Sequence, residues 1–159
     1  MTTMKVETAL YEIRNKINDR DEIGLDDEEL LSYLNEALQY ISSYLVSANS
    51  PLMVKKLDIE TETSTLPDDF VRFVGLQPVK ITGKEVEVLE LPIKARYFAN
   101  VKQVGIADNM PFTQLALNQV AIKLASIYAQ NQQGLNVQQD KVLLDELNAS
   151  IASAVSGAK

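Results

Sequence analysis

The chain has 159 residues, with 46% hydrophobic and 23% charged side chains and a formal net charge of −7. These are the values of an ordinary globular chain, long enough to bury a core. It contains no cysteine, histidine or tryptophan, which excludes disulfides, thiolate metal sites, a cysteine nucleophile and any histidine-based triad.

In chain order, Val6, Leu10, Ile13 and Ile17 recur at helical spacing and predict a first helix over residues 3–18. An acidic break containing Gly24 follows. The second helix is strongly signalled: Asp26 is placed to cap it, Glu29 holds the reciprocal capping-box position, and Leu25 and Leu30 form a hydrophobic staple. Acids in its first turn suit the positive end of the helix dipole. Leu30, Leu34, Leu38, Ile41 and Leu45 make its core stripe. Tyr33, Tyr40 and Tyr44 lie on a second face, where packing within the chain is the plainer reading and a partner surface the sharper one.

All five prolines, Pro51, Pro67, Pro78, Pro92 and Pro111, fall between residues 51 and 111, which marks a non-helical middle between two helical flanks. There, residues 57–63 alternate charged with apolar or β-branched side chains, the period of a half-exposed strand. Residues 71–74 suit a second strand. Residues 77–81 and 85–89 flank Thr82-Gly83-Lys84 as a hairpin. Residues 90–111 read equally well as helix or loop. After Pro111, Leu115, Leu117, Val120, Ala121, Ile122, Leu124, Ala125, Ile127 and Tyr128 predict a helix buried on most sides. Gly134 separates it from a last helix over residues 137–155, where Leu144, Leu147, Ile151 and Val155 share a face. The expectation is an α+β fold in a single domain over residues 1–159. About four helices form a mostly helical bundle, with a small antiparallel β region inserted between the second helix and the C-terminal helices. Its three parts are residues 1–50, 51–111 and 112–159.

The charge is uneven. Residues 1–50 hold ten acids and four bases, residues 51–111 nine acids and eight bases, and residues 112–159 three of each. An acidic surface argues against a grip on nucleic-acid phosphates, which needs clustered Lys and Arg. The run Asp19, Asp21, Glu22, Asp26, Asp27, Glu28, Glu29 approaches a calcium loop, with Gly24 at the sixth position. Ile23 then stands at the fifth position and Leu30 at the twelfth, where oxygen ligands are required. A solvated turn leading into a helix cap is the better reading. Asp68 and Asp69 after Pro67 shape a turn between strands more readily than they pair on a substrate. Gly75 and Gly83 are isolated turn glycines, and no phosphate-cradling loop exists. No catalytic residue, cofactor or metal is expected. The first residues lack a hydrophobic run of signal-peptide length, and no stretch approaches the ~20 apolar residues of a membrane span. The expected place is a cytoplasm, or a particle assembled in one.

The segment DDEELLSYLNEALQYI, followed by a strand and then TLPDDFVRFVGL, resembles the adaptor proteins of tailed bacteriophages, also called head–tail connector or head-completion proteins. Members look like a D-x-E-L-L-x-x-L-N-E-A helix, then a strand, then L-P-x-D-F-x-R leading into a second strand. Glu29, Leu30, Leu31, Leu34, Asn35, Glu36 and Ala37 match the first part. Leu66, Pro67, Asp69, Phe70, Arg72 and Val74 match the second. The family's helix often opens with tryptophan, where this chain has Leu25, and residues 90–111 have no counterpart.

The resemblance implies a non-enzymatic structural protein of the virion. It would form a ring with copies of itself, typically twelvefold, beneath the portal protein at the head–tail junction. The ring would extend the DNA channel, let DNA pass without specific binding, and dock a downstream tail or head-completion protein. In related adaptors a C-terminal segment commonly embraces the portal, which on this chain would be the face of Leu144, Leu147, Ile151 and Val155. An acidic channel would keep the duplex sliding by repulsion. The alternative from another class is an acidic cytoplasmic interaction or regulatory module that binds a basic surface and never enters a particle.

Overall fold

The computed structural model describes residues 3–19, 24–61, 63–88, 91, 93–132 and 141–156. Over the described residues the chain is α+β, with four α-helices and, between the second and third of them in chain order, small antiparallel sheets. It divides into two compact units, residues 1–41 with 102–159, and residues 42–101. The boundary therefore falls inside the second helix.

The first unit is helical. Helix α1 (Val6–Ile17) buries Val6, Ala9, Leu10, Ile13 and Ile17. Helix α2 (Asp27–Ser47) enters this unit with Leu30, Leu34, Ala37, Leu38 and Ile41 buried. Helix α3 (Leu115–Gln132) packs against α1 and against α4 (Lys141–Ser156). Leu117, Val120, Ala121, Ile122, Leu124, Ala125 and Ile127 are buried as expected, but Leu115 is exposed. It sits in the first turn, beyond the reach of the packed stripe. The chain before α1 is pinned to residues 108–110: Val6 N–H donates to Asp108 O at 3.0 Å, and Met110 N–H donates to Met4 O at 2.7 Å.

The second unit is two three-stranded antiparallel sheets. Strands β1 (Val54–Ile59), β3 (Phe70–Phe73) and β6 (Ile93–Ala99) form one, in the order β1-β6-β3. Strands β2 (Thr63–Thr65), β4 (Val79–Thr82) and β5 (Glu85–Val88) form the other, in the order β2-β5-β4. The registers Lys55↔Tyr97, Leu57↔Ala95 and Ile59↔Ile93 set one face of the first sheet, since opposed residues point the same way. Ile59, Ala95 and Ile93 of that face share a core with Leu66, Val86 and Val88, which is the hydrophobic centre of the unit.

Two expectations are corrected here. The single strand over residues 57–63 is two strands in different sheets, because the chain leaves β1 after Ile59 and resumes at Thr63. Residues 90–111 contain the longest strand, β6, which forms the middle of its sheet. The hairpin is found with a two-residue loop: Thr82 opposes Glu85, and Gly83 takes φ +62°. Lys84 is not among the positive-φ residues, so the glycine sits where a type II′ turn requires it.

Both N-terminal helices end on an asparagine in the left-handed region. Asn18 has φ 59° and Asn49 φ 57°. At α2, Ser50 N–H donates to Leu45 O at 2.9 Å and Asn49 N–H to Val46 O at 3.0 Å, the two bonds of a Schellman motif. The bonds of Asp19 N–H to Arg14 O and Asn18 N–H to Asn15 O repeat it at α1. Gly134 and the residues before Lys141 lie outside the described part of the chain.

Candidate functional site

The acidic approach to α2 is organised by one buried cation. Arg14 is 4% exposed. Its guanidinium donates to Asp19 Oδ2 at 3.0 Å, to Leu25 O at 2.8 Å and to Asp27 Oδ1 at 2.8 Å. Asp19 in turn accepts from Gly24 N–H and Leu25 N–H. Its carboxylate thus holds the residues that lead into α2. Asp21 and Glu22 lie outside the described residues. Among the described residues no cluster of three or more acids could hold a metal ion. Asp26 caps α2 as expected, accepting Glu29 N–H at 2.8 Å, and Leu25 and Leu30 are both buried.

The residues of the family-like motif go to distinct places. Leu30 and Leu34 are core residues of the helical unit. Asn35 clasps one irregular residue from both sides: Nδ2 donates to Val104 O at 3.0 Å, and Oδ1 accepts Val104 N–H at 2.8 Å. Both groups of a backbone that lacks a strand or helix partner are thereby satisfied. Glu29 is exposed.

The second part of the motif builds the β unit. Leu66 is buried and its N–H donates to Lys84 O; Pro67 O accepts Phe70 N–H and closes the turn. Between β3 and β6 the register shifts at Val71, from Phe70↔Ala99 to Arg72↔Phe98. This bulge changes the strand's parity, so that Phe70 and Phe73 both face the core while Arg72 faces the other way. Phe70 packs edge-on to Phe73 at 5.0 Å and stacks on Tyr97 at 5.7 Å. Arg72 lies 4.2 Å over the Phe98 ring and reaches the end of α2, donating to Val46 O at 2.9 Å and Asn49 Oδ1 at 2.6 Å. A cation at a helix C-terminus is favourably placed against the dipole.

Asp69 is a buried acid of this unit, 9% exposed. It accepts from Tyr97 Oη at 3.0 Å and from Lys55 Nζ at 2.5 Å, while its backbone O holds Asn100 N–H. Burial pushes its carboxyl up, but the bonds from Lys55 and Tyr97 and the charge of Lys55 outweigh this and hold it below the usual range. Tyr97 is pushed up to about 12, first by burial and then by its bond to the Asp69 carboxylate. Sequence reasoning found Asp69 but missed Tyr97 and Lys55. The alternation Ile93-Lys94-Ala95-Arg96-Tyr97 was the signal available for β6. Chemically this is a locked cross-strand tie: the acid is ionised and the phenol stays protonated, while the neighbouring Asp68 is exposed.

Of the face expected to meet a portal, Ile151 is fully buried within the chain, so in this conformation it packs the protein's own interior. The side chains of Leu144, Leu147 and Val155, on α4, lie outside the described residues. The tyrosines of α2 are half-buried; Tyr40 donates to Asn148 Oδ1 at 2.7 Å, a contact within the helical unit. Burial raises Tyr33 above its usual value, and the carboxylates of Glu29 and Glu36 add to the effect.

The helical unit also carries an open groove of about 680 Å³ lined by Glu28, Leu31, Ser32, Asn35, Glu36, Gln39 and Gln103. Its two carboxylates and its amides suit a polar, cationic occupant better than an apolar one. No helix among the described residues is long and apolar enough to cross a membrane. Compared with models of known protein families and with curated proteins, the chain matches none.

Proposed function

We propose that this protein is a head–tail adaptor of a tailed bacteriophage. It forms a ring beneath the portal, extends the DNA channel and docks the next tail or head-completion protein. The observation that carries the reading is the division of labour among the residues of the adaptor-like motif. Asn35 secures residue 104, the bulge at Val71 sorts Phe70 and Phe73 from Arg72, and Arg72 fastens β3 to the end of α2. A scaffold spent on holding segments in place, with the buried carboxylate of Asp69 locked in an ion pair, suits a structural part better than a catalyst. On this reading the helices form the bundle of the adaptor, the protein is not an enzyme, and its place is the virion.

The test is genetic. Deleting the gene from its phage leaves heads and tails that fail to join, and supplying it in trans restores joined particles. Normal particles from the deletion overturn the proposal. The groove that carries Glu28 and Glu36 favours a second reading, an acidic module that binds a basic protein surface. Under that reading the deletion leaves particle assembly intact.

A further inference from the structure

The outer face of the β1-β6-β3 sheet places two cations directly opposite one another. Lys56 pairs with Arg96 across β1 and β6, and the next pair on the same face is Asp58 with Lys94. All four side chains are exposed. Opposed side chains in such a pair start about 5 Å apart, and like charges there oppose folding. Among the described residues no carboxylate forms a salt bridge with Lys56, Lys94 or Arg96: the ion pairs are those of Arg14 and Lys55. Asp58 offsets one charge of three. Among the described residues, these three cations therefore share one carboxylate, Asp58, on the outer face of a sheet whose other face is committed to the core.

The complement to that patch is on the chain itself. Asp26, Asp27, Glu28 and Glu29 are consecutive and all exposed at the start of α2. Asp26 and Asp27 are held by the helix cap and by Arg14, and no salt bridge joins Glu28 or Glu29 to another described residue. We infer that the Lys56–Arg96 face of one copy binds the Glu28–Glu29 turn of a second copy. Two different surfaces then meet head to tail, the arrangement that closes into a ring when the rotation allows. This deepens the ring proposed above and rests on it. A nucleic-acid backbone fits less well, because Asp58 lies within the patch and the chain as a whole carries −7.

The test uses the full chain and two charge-reversed variants, Lys56→Glu/Arg96→Glu and Glu28→Lys/Glu29→Lys, each checked for native circular dichroism. Self-association is followed by sedimentation velocity and native mass spectrometry at high protein concentration and low salt, where screening is weak. The wild type associates and salt weakens it. Each variant alone associates at least tenfold more weakly, and an equimolar mixture of the two recovers assembly with the copies in equal number. A wild type that stays monomeric, variants that associate like the wild type, or a mixture that does not recover all overturn the inference. Labelled duplex DNA that binds the wild type, loses binding with Lys56→Glu/Arg96→Glu and finds no copy–copy association reassigns the patch to phosphate. A mixture that fails although the gene is needed for joined particles removes this contact alone. A mixture that recovers although particles form without the gene removes the adaptor reading alone.

Discussion

Tyr97 Oη donates to Asp69 Oδ1 at 3.0 Å, linking the turn before β3 to the middle strand β6 in the interior of the β unit. Lys55, on β1, reaches the same carboxylate. One acid therefore ties all three strands of its sheet together. Replacing Asp69 by Ala leaves a buried phenol without an acceptor and is expected to cost about 1–3 kcal/mol. Exposed Asp68→Ala is expected to stay within about 0.5 kcal/mol of wild type. Urea unfolding of both variants checks the contrast.

The same tie sets opposite pH limits. Asp69 is held below its usual value, so its contribution is present above the ordinary carboxylate range and fades as pH falls through the lowered value. Tyr97 is raised from 10.0 to about 12, so its contribution is complete below 10.0 and is lost as pH rises through about 12. Tyrosinate absorbance should show a late-ionising group that disappears in Tyr97→Phe, and in Asp69→Ala the acid limb of the stability profile should flatten.

Asn35 holds Val104 by two bonds, and the two can be separated. Asn35→Ala removes both and strands two backbone groups, at a cost of about 1–3 kcal/mol. Asn35→Asp keeps the acceptor for Val104 N–H but turns a second acceptor toward Val104 O, where oxygen repels oxygen. Hydrogen exchange at Val104 should therefore speed up in both variants, and more in the first, which also loses the acceptor.

At the end of α2, Asn49 combines a left-handed backbone with a bond from Arg72. Asn49→Gly and Asn49→Ala both lose that bond, but only alanine must bear the left-handed strain. Alanine should be the less stable by about 1 kcal/mol, read from thermal or urea unfolding.

Much of the helical unit was legible in the sequence because its signals are local. The cap at Asp26 and the stripe of α2 are fixed by spacings of three and four residues, and the structure keeps them. The proline boundary located the β region for a similar reason. What escaped was set by partners far along the chain. β6 lies between two strands drawn from residues 54–59 and 70–73, and the strand over residues 57–63 splits because the two sheets claim its halves. The bulge at Val71 leaves no local mark, and the tie of Asp69 to Tyr97 and Lys55 depends on that register. Asn18 and Asn49 were legible in principle as left-handed caps, since asparagine is the usual substitute for glycine there.

An adaptor is a stoichiometric part of its phage particle. The most direct measurement is to band the native source material on a density gradient and count this chain against the capsid proteins by quantitative mass spectrometry. An adaptor co-bands with capsids at portal-like stoichiometry, about twelve copies for each portal vertex. Absence from every particle, in material that expresses the chain, would contradict the proposal.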